Sequence, residues 1–155
     1  MRRTTPGDLA VPFVIIAVTV YVLLRRSYES IPPLKFITAI PLFVLAVVEI
    51  VLARRVAAAV GHKPGARLMS ALTIARCAAL GKASSLAGAG VLGAAAGLLA
   101  HVVPDASRVT AAAHDTRVGI VLAVAALAVT LSGWLLERAA VDPSAGRWDD
   151  RDDSP

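Results

Sequence analysis

The chain has 155 residues, of which 57% are hydrophobic and only 17% charged, and its mean hydropathy is +0.70. An ordinary soluble domain, in which about a quarter of residues are charged, is excluded, and the long apolar runs indicate a membrane protein. The net charge of +5 does not indicate nucleic-acid binding, because the arginines lie at the ends of apolar runs rather than in an aromatic-containing basic patch.

The first predicted span covers residues 9–24, an uncharged run with arginine pairs on both sides. At about 1.5 Å per residue it needs snorkelling arginines to complete the crossing. Pro12 is expected in the first turn of the helix, where its missing N–H matters little. A cleaved signal peptide is the competing interpretation, but no small-residue cleavage site follows.

The second predicted span covers residues 36–53 and ends at Arg54 and Arg55. Pro41 lies inside this run and predicts a bend. Glu49 is the only acidic residue within the first three spans, about one turn before Arg54.

The third helix is predicted to begin near Ser70, a suitable N-cap, and to end at Val103, before Pro104. Its length of about 50 Å exceeds the hydrocarbon core of about 30 Å, so only residues 83–103 are expected inside the membrane. The fourth span, 118–136, is expected to be capped by Asp115 or Thr116.

Residues 1–140 thus form one predicted all-α, four-span transmembrane domain, followed by an acidic cytoplasmic tail, 141–155, that is expected to be disordered. Eleven Lys and Arg residues fall on the side of the termini and the middle loop, against five on the other side. The positive-inside rule places both termini in the cytoplasm. Anionic lipid headgroups at this face are the expected partners.

Small residues recur at every fourth position of the third helix: Gly81, Ser85, Ala89, Gly93 and Gly97. Such residues let two helix backbones approach closely in lipid. The stripe is interpreted first as a seam within the bundle. The alternative is a seam with a second copy of the chain or with another membrane protein.

Helical phase predicts that Lys82 faces the same packed side, where a buried ammonium group needs a partner. The hypothesis is an ion pair between Lys82 and Glu49 that joins helices two and three. The alternative is that Lys82 and Glu49 do not pair and that each side chain extends to the lipid headgroups at the cytoplasmic face. Arg54, Arg55 and Arg76 are expected to contact lipid phosphate or a loop.

The sequence contains no complete motif for phosphate binding, metal binding or catalysis. Residues 80–84 (LGKAS) resemble a phosphate-binding loop, but Arg76 stands where that loop needs glycine and Ala83 where it needs Ser or Thr. The three histidines lie far apart in sequence and have no metal-ligand spacing. No catalytic residue, metal or cofactor is therefore predicted, and no enzymatic activity is expected.

Several short motifs together resemble one family. They are Glu49 five residues before Arg54, then Ala75-Arg76, Lys82-Ala83-Ser84, the glycine-rich stretch up to Pro104, and Asp115-Thr116. The chain resembles the actinobacterial family of domain of unknown function 3180 over residues 9–136. The resemblance implies a small, uncharacterised multi-pass protein of the plasma membrane, and it implies no activity.

The sequence favours a non-enzymatic scaffold or partner subunit of the cell envelope. The alternative is a subunit of an oligomeric small-solute transporter or channel, with a pore between protomers. A dry seam along Gly81–Gly97 would favour the scaffold, and a polar path between helices would favour the transporter.

Overall fold

A computed structural model of the chain describes residues 4–27, 36–61, 69–107 and 109–140. Four α-helices account for most of this part: α1 (Pro6–Ser27), α2 (Ile40–Val60), α3 (Ala71–Val102) and α4 (Thr110–Ala140). Short 3-10 helices at Phe36–Ala39 and Val103–Asp105 precede α2 and follow α3. The predicted helical bundle is confirmed, with no strand among the described residues. The predicted acidic tail, 141–155, lies outside them.

The start of α1 is fixed by Thr5 and Asp8. Asp8 Oδ2 accepts hydrogen bonds of 2.9 Å from both the N–H and the hydroxyl group of Thr5, an arrangement related to the capping box. Because the helix begins at Pro6, Pro12 lies in its second turn. The prediction of Pro12 in the first turn is therefore wrong, and Pro6 holds that position instead.

α2 and the 3-10 helix before it together cover the predicted second span. Pro41 lies in the first turn of α2, where a missing N–H is tolerated, and the predicted bend there stays a prediction. The helix also continues past Arg54 and Arg55 to Val60, because the following residues, mostly alanines, are good helix formers.

α3 begins as the sequence predicts, since Ser70 caps it and its hydroxyl oxygen accepts a hydrogen bond from the Thr73 N–H. α4 begins at Thr110, five residues before the predicted cap. Asp115 is buried inside this helix, and the Thr116 hydroxyl donates back to the Ala112 carbonyl at 2.7 Å. The predicted cap is therefore wrong, because a run of alanines before Asp115 extends the helix outward.

The helices pack in the order α1, α3, α4, α2. α3 and α4 form the central pair, α1 packs on α3, and α2 packs chiefly on α4. All four are long and apolar enough to cross a membrane. In the most apolar 18-residue segment of each helix, 44% is buried for α3 and for α4. The buried share is only 22% for α2 and 6% for α1. The outer helices therefore present most of their apolar surface outward.

Close backbone contact holds the central pair together. A Cβ atom added to Gly81 would lie 2.6 Å from the Gly133 carbonyl oxygen, and one added to Gly133 would lie 2.7 Å from that of Gly81. A similar contact occurs two turns along, where a Cβ on Gly88 would lie 2.6 Å from Thr130 Oγ1. No larger residue fits here without moving a helix.

The small-residue stripe of α3 faces two neighbours in succession. Its five members are all buried. Gly81 lies against α4, whereas Gly93 and Gly97 lie against α1, at the carbonyl groups of Phe13 and Ala17. Residues four apart drift by about 40° around a helix of 3.6 residues per turn, which turns the stripe from one neighbour to the other. These contacts lie within one chain.

We expect Gly133→Ala to lower the free energy of unfolding by about 1–3 kcal/mol, because the new methyl group meets the backbone of α3 rather than a movable side chain. Gly90→Ala is the matched control, since its methyl group would meet only the flexible end of Ile16. Denaturation in mixed detergent micelles, followed by circular dichroism, measures both. Equal midpoints for the two variants would contradict the close contact.

Candidate functional site

Four exposed arginines lie at the end of the bundle where α1 begins. Ala53, Val56, Cys77 and Leu136 form a buried apolar cluster there. Each arginine is one or two residues from a member of this cluster, so the four lie at about the same height: Arg54, Arg55, Arg76 and Arg138. We call this the basic end. The Arg138 guanidinium group stacks 3.6 Å from the Trp134 ring centroid, a pair suited to a membrane interface.

A buried carboxyl group lies about one turn inward from the basic end. Glu49 is fully buried, and its Oε2 atom lies 2.6 Å from the hydroxyl oxygen of Ser132 on α4. Its Oε1 atom is buried and has no hydrogen-bond partner among the described residues. The contact fixes α2 to α4 through a side chain that is costly to bury.

The Ser132 hydroxyl group has a second acceptor within reach. Ser132 Oγ also lies 3.1 Å from the Val129 carbonyl oxygen, and one hydroxyl hydrogen serves only one of the two acceptors at a time. The contact with Glu49 is the shorter of the two, at 2.6 Å.

A second buried acid joins α4 to the start of α1. Glu137 Oε1 accepts a hydrogen bond of 2.7 Å from the Thr4 N–H, and both residues are 6% exposed. Glu137 Oε2 and Thr4 Oγ1 are buried without hydrogen-bond partners in the described part of the chain. A carboxylate at this position also suits the positive end of the α1 helix dipole.

Lys82 is placed differently from its prediction. Its side chain is exposed, whereas Gly81, Ser84 and Ser85 beside it are buried. The predicted inward orientation of Lys82 is therefore wrong, because the seam drifts around α3 and neighbouring positions lie about 100° apart.

The predicted Glu49–Lys82 ion pair stays a prediction, although the hydrogen bond that the structure gives Glu49 goes to Ser132 on α4. The pairing assumed that helices two and three are close neighbours, whereas α2 packs chiefly on α4. The predicted lipid contacts of Arg54, Arg55 and Arg76 also stay predictions, and all three side chains are exposed.

Sequence reasoning missed Ser132 and Thr4 as partners of buried acids. Ser132 lies 83 residues from Glu49, and a lone serine in an apolar run gives no signal of its neighbour. Glu137 could be noticed in the sequence as an acidic residue at the end of a predicted span, but the sequence does not indicate its partner. Among the residues that the structure describes, no group of three His, Cys, Asp or Glu side chains is arranged to hold a metal ion.

A bundle of four apolar helices, each long enough to cross a membrane, defines the class: a multi-pass helical membrane protein. The family model described as "Protein of unknown function (DUF3180)" matches residues 9–143, and the chain belongs to this family. The resemblance drawn from the sequence is thereby confirmed. Comparisons with curated proteins and with solved structures found no match.

We expect Ser132→Ala to lower the free energy of unfolding by about 1–2 kcal/mol, because it leaves a buried carboxyl group without its partner. Hydrogen bonds between helices in membranes average about 0.6 kcal/mol and reach about 1.7, which sets this scale. The double variant Glu49→Leu/Ser132→Ala should recover most of the loss, since both polar groups are then gone.

Thr19→Ala is the control for this measurement. The Thr19 hydroxyl is exposed and donates only to the Ile15 carbonyl of its own helix. All three variants are compared by denaturation in mixed micelles. A loss for Ser132→Ala no larger than that for Thr19→Ala would show that the Glu49–Ser132 contact does not hold α2 in place.

Proposed function

We propose that the protein is a non-enzymatic partner or scaffold subunit of the plasma membrane, with both termini in the cytoplasm. The observation that carries this proposal is the exposure of the outer helices. Only 6% of the apolar 18-residue segment of α1 is buried, and the side of α1 that faces the bundle packs against α3. A helix held along one side only offers the opposite side to another membrane protein.

The closed seam between α3 and α4 supports a scaffold over a transporter that works within one chain. At Gly81 and Gly133, the two backbones leave no space for a methyl group, and a water path needs more room than that. The buried acids support the same proposal, because each one joins two helices. Glu49 joins α2 to α4, and Glu137 joins α4 to α1.

The proposed orientation follows from the basic end. Arg54, Arg55, Arg76 and Arg138 share this end of the bundle, and arginines concentrate on the cytoplasmic side. The N-terminus of α1 and the C-terminus of α4 lie at the same end, because Thr4 and Glu137 are hydrogen-bonded. Anionic headgroups of the inner leaflet are then the natural counterions.

One observation favours the alternative, a subunit of an oligomeric small-solute transporter or channel. Glu49 lies within a span and has a buried oxygen atom without a partner among the described residues. An ionisable residue inside the membrane is a functional candidate by default. In this alternative, a pore forms between copies of the chain.

Photo-cross-linking from the outer helices tests the proposal. Benzoylphenylalanine is placed at Val18 of α1 or at Val47 of α2, which are 58% and 62% exposed. Leu72, exposed in the first turn of α3, is the control position. We expect illumination of intact cells to give a discrete product with one other membrane protein from Val18 or Val47, but none from Leu72.

The products of this experiment separate the two functions. Cross-linking of the chain only to itself, in a closed oligomer, would favour the transporter subunit over the scaffold. Cross-linking only to lipid, together with a stable monomer in detergent, would contradict the partner-subunit proposal.

A further inference from the structure

An apolar groove runs between α2 and α3. Leu42 and Leu45 of α2 line one wall, and Ala83, Ala87 and Val91 line the other, with Val129 of α4 as its floor. Its volume is about 230 Å³. The groove opens sideways, since Leu45 at the rim is 37% exposed while Val129 is 2% exposed. It therefore faces the region that lipid occupies around a membrane helix.

The groove exists because α2 and α3 diverge. They approach each other at the basic end, where Val56 and Cys77 belong to the same buried cluster. Farther along, α2 packs on α4, and α3 carries alanines where larger side chains would fill the gap. The groove is thus bounded by apolar packing toward the basic end and remains open to its side.

Positive charge lies at that bounded end. Arg76 precedes Ala83 by seven residues and Ala87 by eleven, so it lies on the same face of α3 as the wall of the groove. Arg55 of α2 is the neighbour of Val56, which places it at the height of Arg76. Both arginines are exposed. An apolar groove with two guanidinium groups at one end matches an amphiphile with an anionic head.

The dimensions fit one leaflet of a bilayer. Arg76 and Val91 are separated by fifteen residues, which is about 22 Å along a helix. One leaflet with its headgroup region is about 20–22 Å thick, half of a complete bilayer. A headgroup at Arg76 would therefore place its hydrocarbon chain beside the groove.

We infer that this groove binds one acyl chain of an anionic phospholipid, whose phosphate group lies between Arg76 and Arg55. Its volume is below the range of about 300–1,000 Å³ for pockets that hold drug-sized ligands, which favours a single chain. Guanidinium groups bind phosphate through paired, charge-assisted hydrogen bonds. The inference does not depend on whether the protein has a protein partner.

Native mass spectrometry tests the inference on the full chain in nanodiscs of equal parts phosphatidylglycerol and phosphatidylcholine. We expect the released protein to retain one phosphatidylglycerol molecule in preference to phosphatidylcholine. Arg76→Gln should reduce this retention about fivefold, the effect of losing one basic contact at a lipid surface. Arg54→Gln should leave it unchanged, because Arg54 is at the same height but lies about 100° around α2 from Arg55.

A second variant tests the groove itself. Ala87 is exposed at the wall, so Ala87→Phe should fill the groove without disturbing the core and should reduce retention by a similar factor. Circular dichroism checks that each variant is folded. Equal retention of both lipids, equal losses for Arg76→Gln and Arg54→Gln, or no loss for Ala87→Phe would each overturn the inference. Displacement of the lipid by inorganic phosphate alone would also overturn it.

Discussion

The close backbone contact between α3 and α4 is the constraint on which the rest of the structure depends. Two apolar helices in lipid gain little from hydrophobic burial, so close packing and weak Cα–H···O contacts must hold them together. Gly81 and Gly133 provide this contact by presenting backbone to backbone. The two outer helices then attach to opposite sides of the central pair, α1 to α3 and α2 to α4.

Polar contacts fix the positions of the outer helices along the bundle axis, because apolar packing alone allows one helix to slide along another. The Glu49–Ser132 hydrogen bond sets the height of α2 against α4, and the Glu137–Thr4 hydrogen bond sets the start of α1 against the end of α4. Both contacts lie toward the basic end. Toward the opposite end, an apolar cluster that includes Leu24 and Leu98 packs α1 against α3.

The existence and class of the four helices could be predicted from the sequence, because long apolar runs flanked by arginines are typical of membrane-spanning helices. The Ser70 cap and the small residues of α3 could also be predicted, since each has a local physical cause. The order of the helices could not, because it depends on contacts between distant residues. For the same reason, the sequence suggests Lys82 as the partner of Glu49 and gives no sign of Ser132. α2 and α4 also extend beyond the predicted spans, because alanine-rich segments continue these helices past the apolar runs.

Solid-state NMR of the protein in lipid bilayers tests the central contact most directly and without mutation. Protein labelled at glycine Cα should show a cross-peak between Gly81 and Gly133, which lie backbone to backbone in the structure. Dilution with unlabelled protein separates contacts within one chain from contacts between chains. We predict that the cross-peak persists with unchanged relative intensity on dilution. Its absence, or its loss on dilution, would contradict a central α3–α4 pair within one chain.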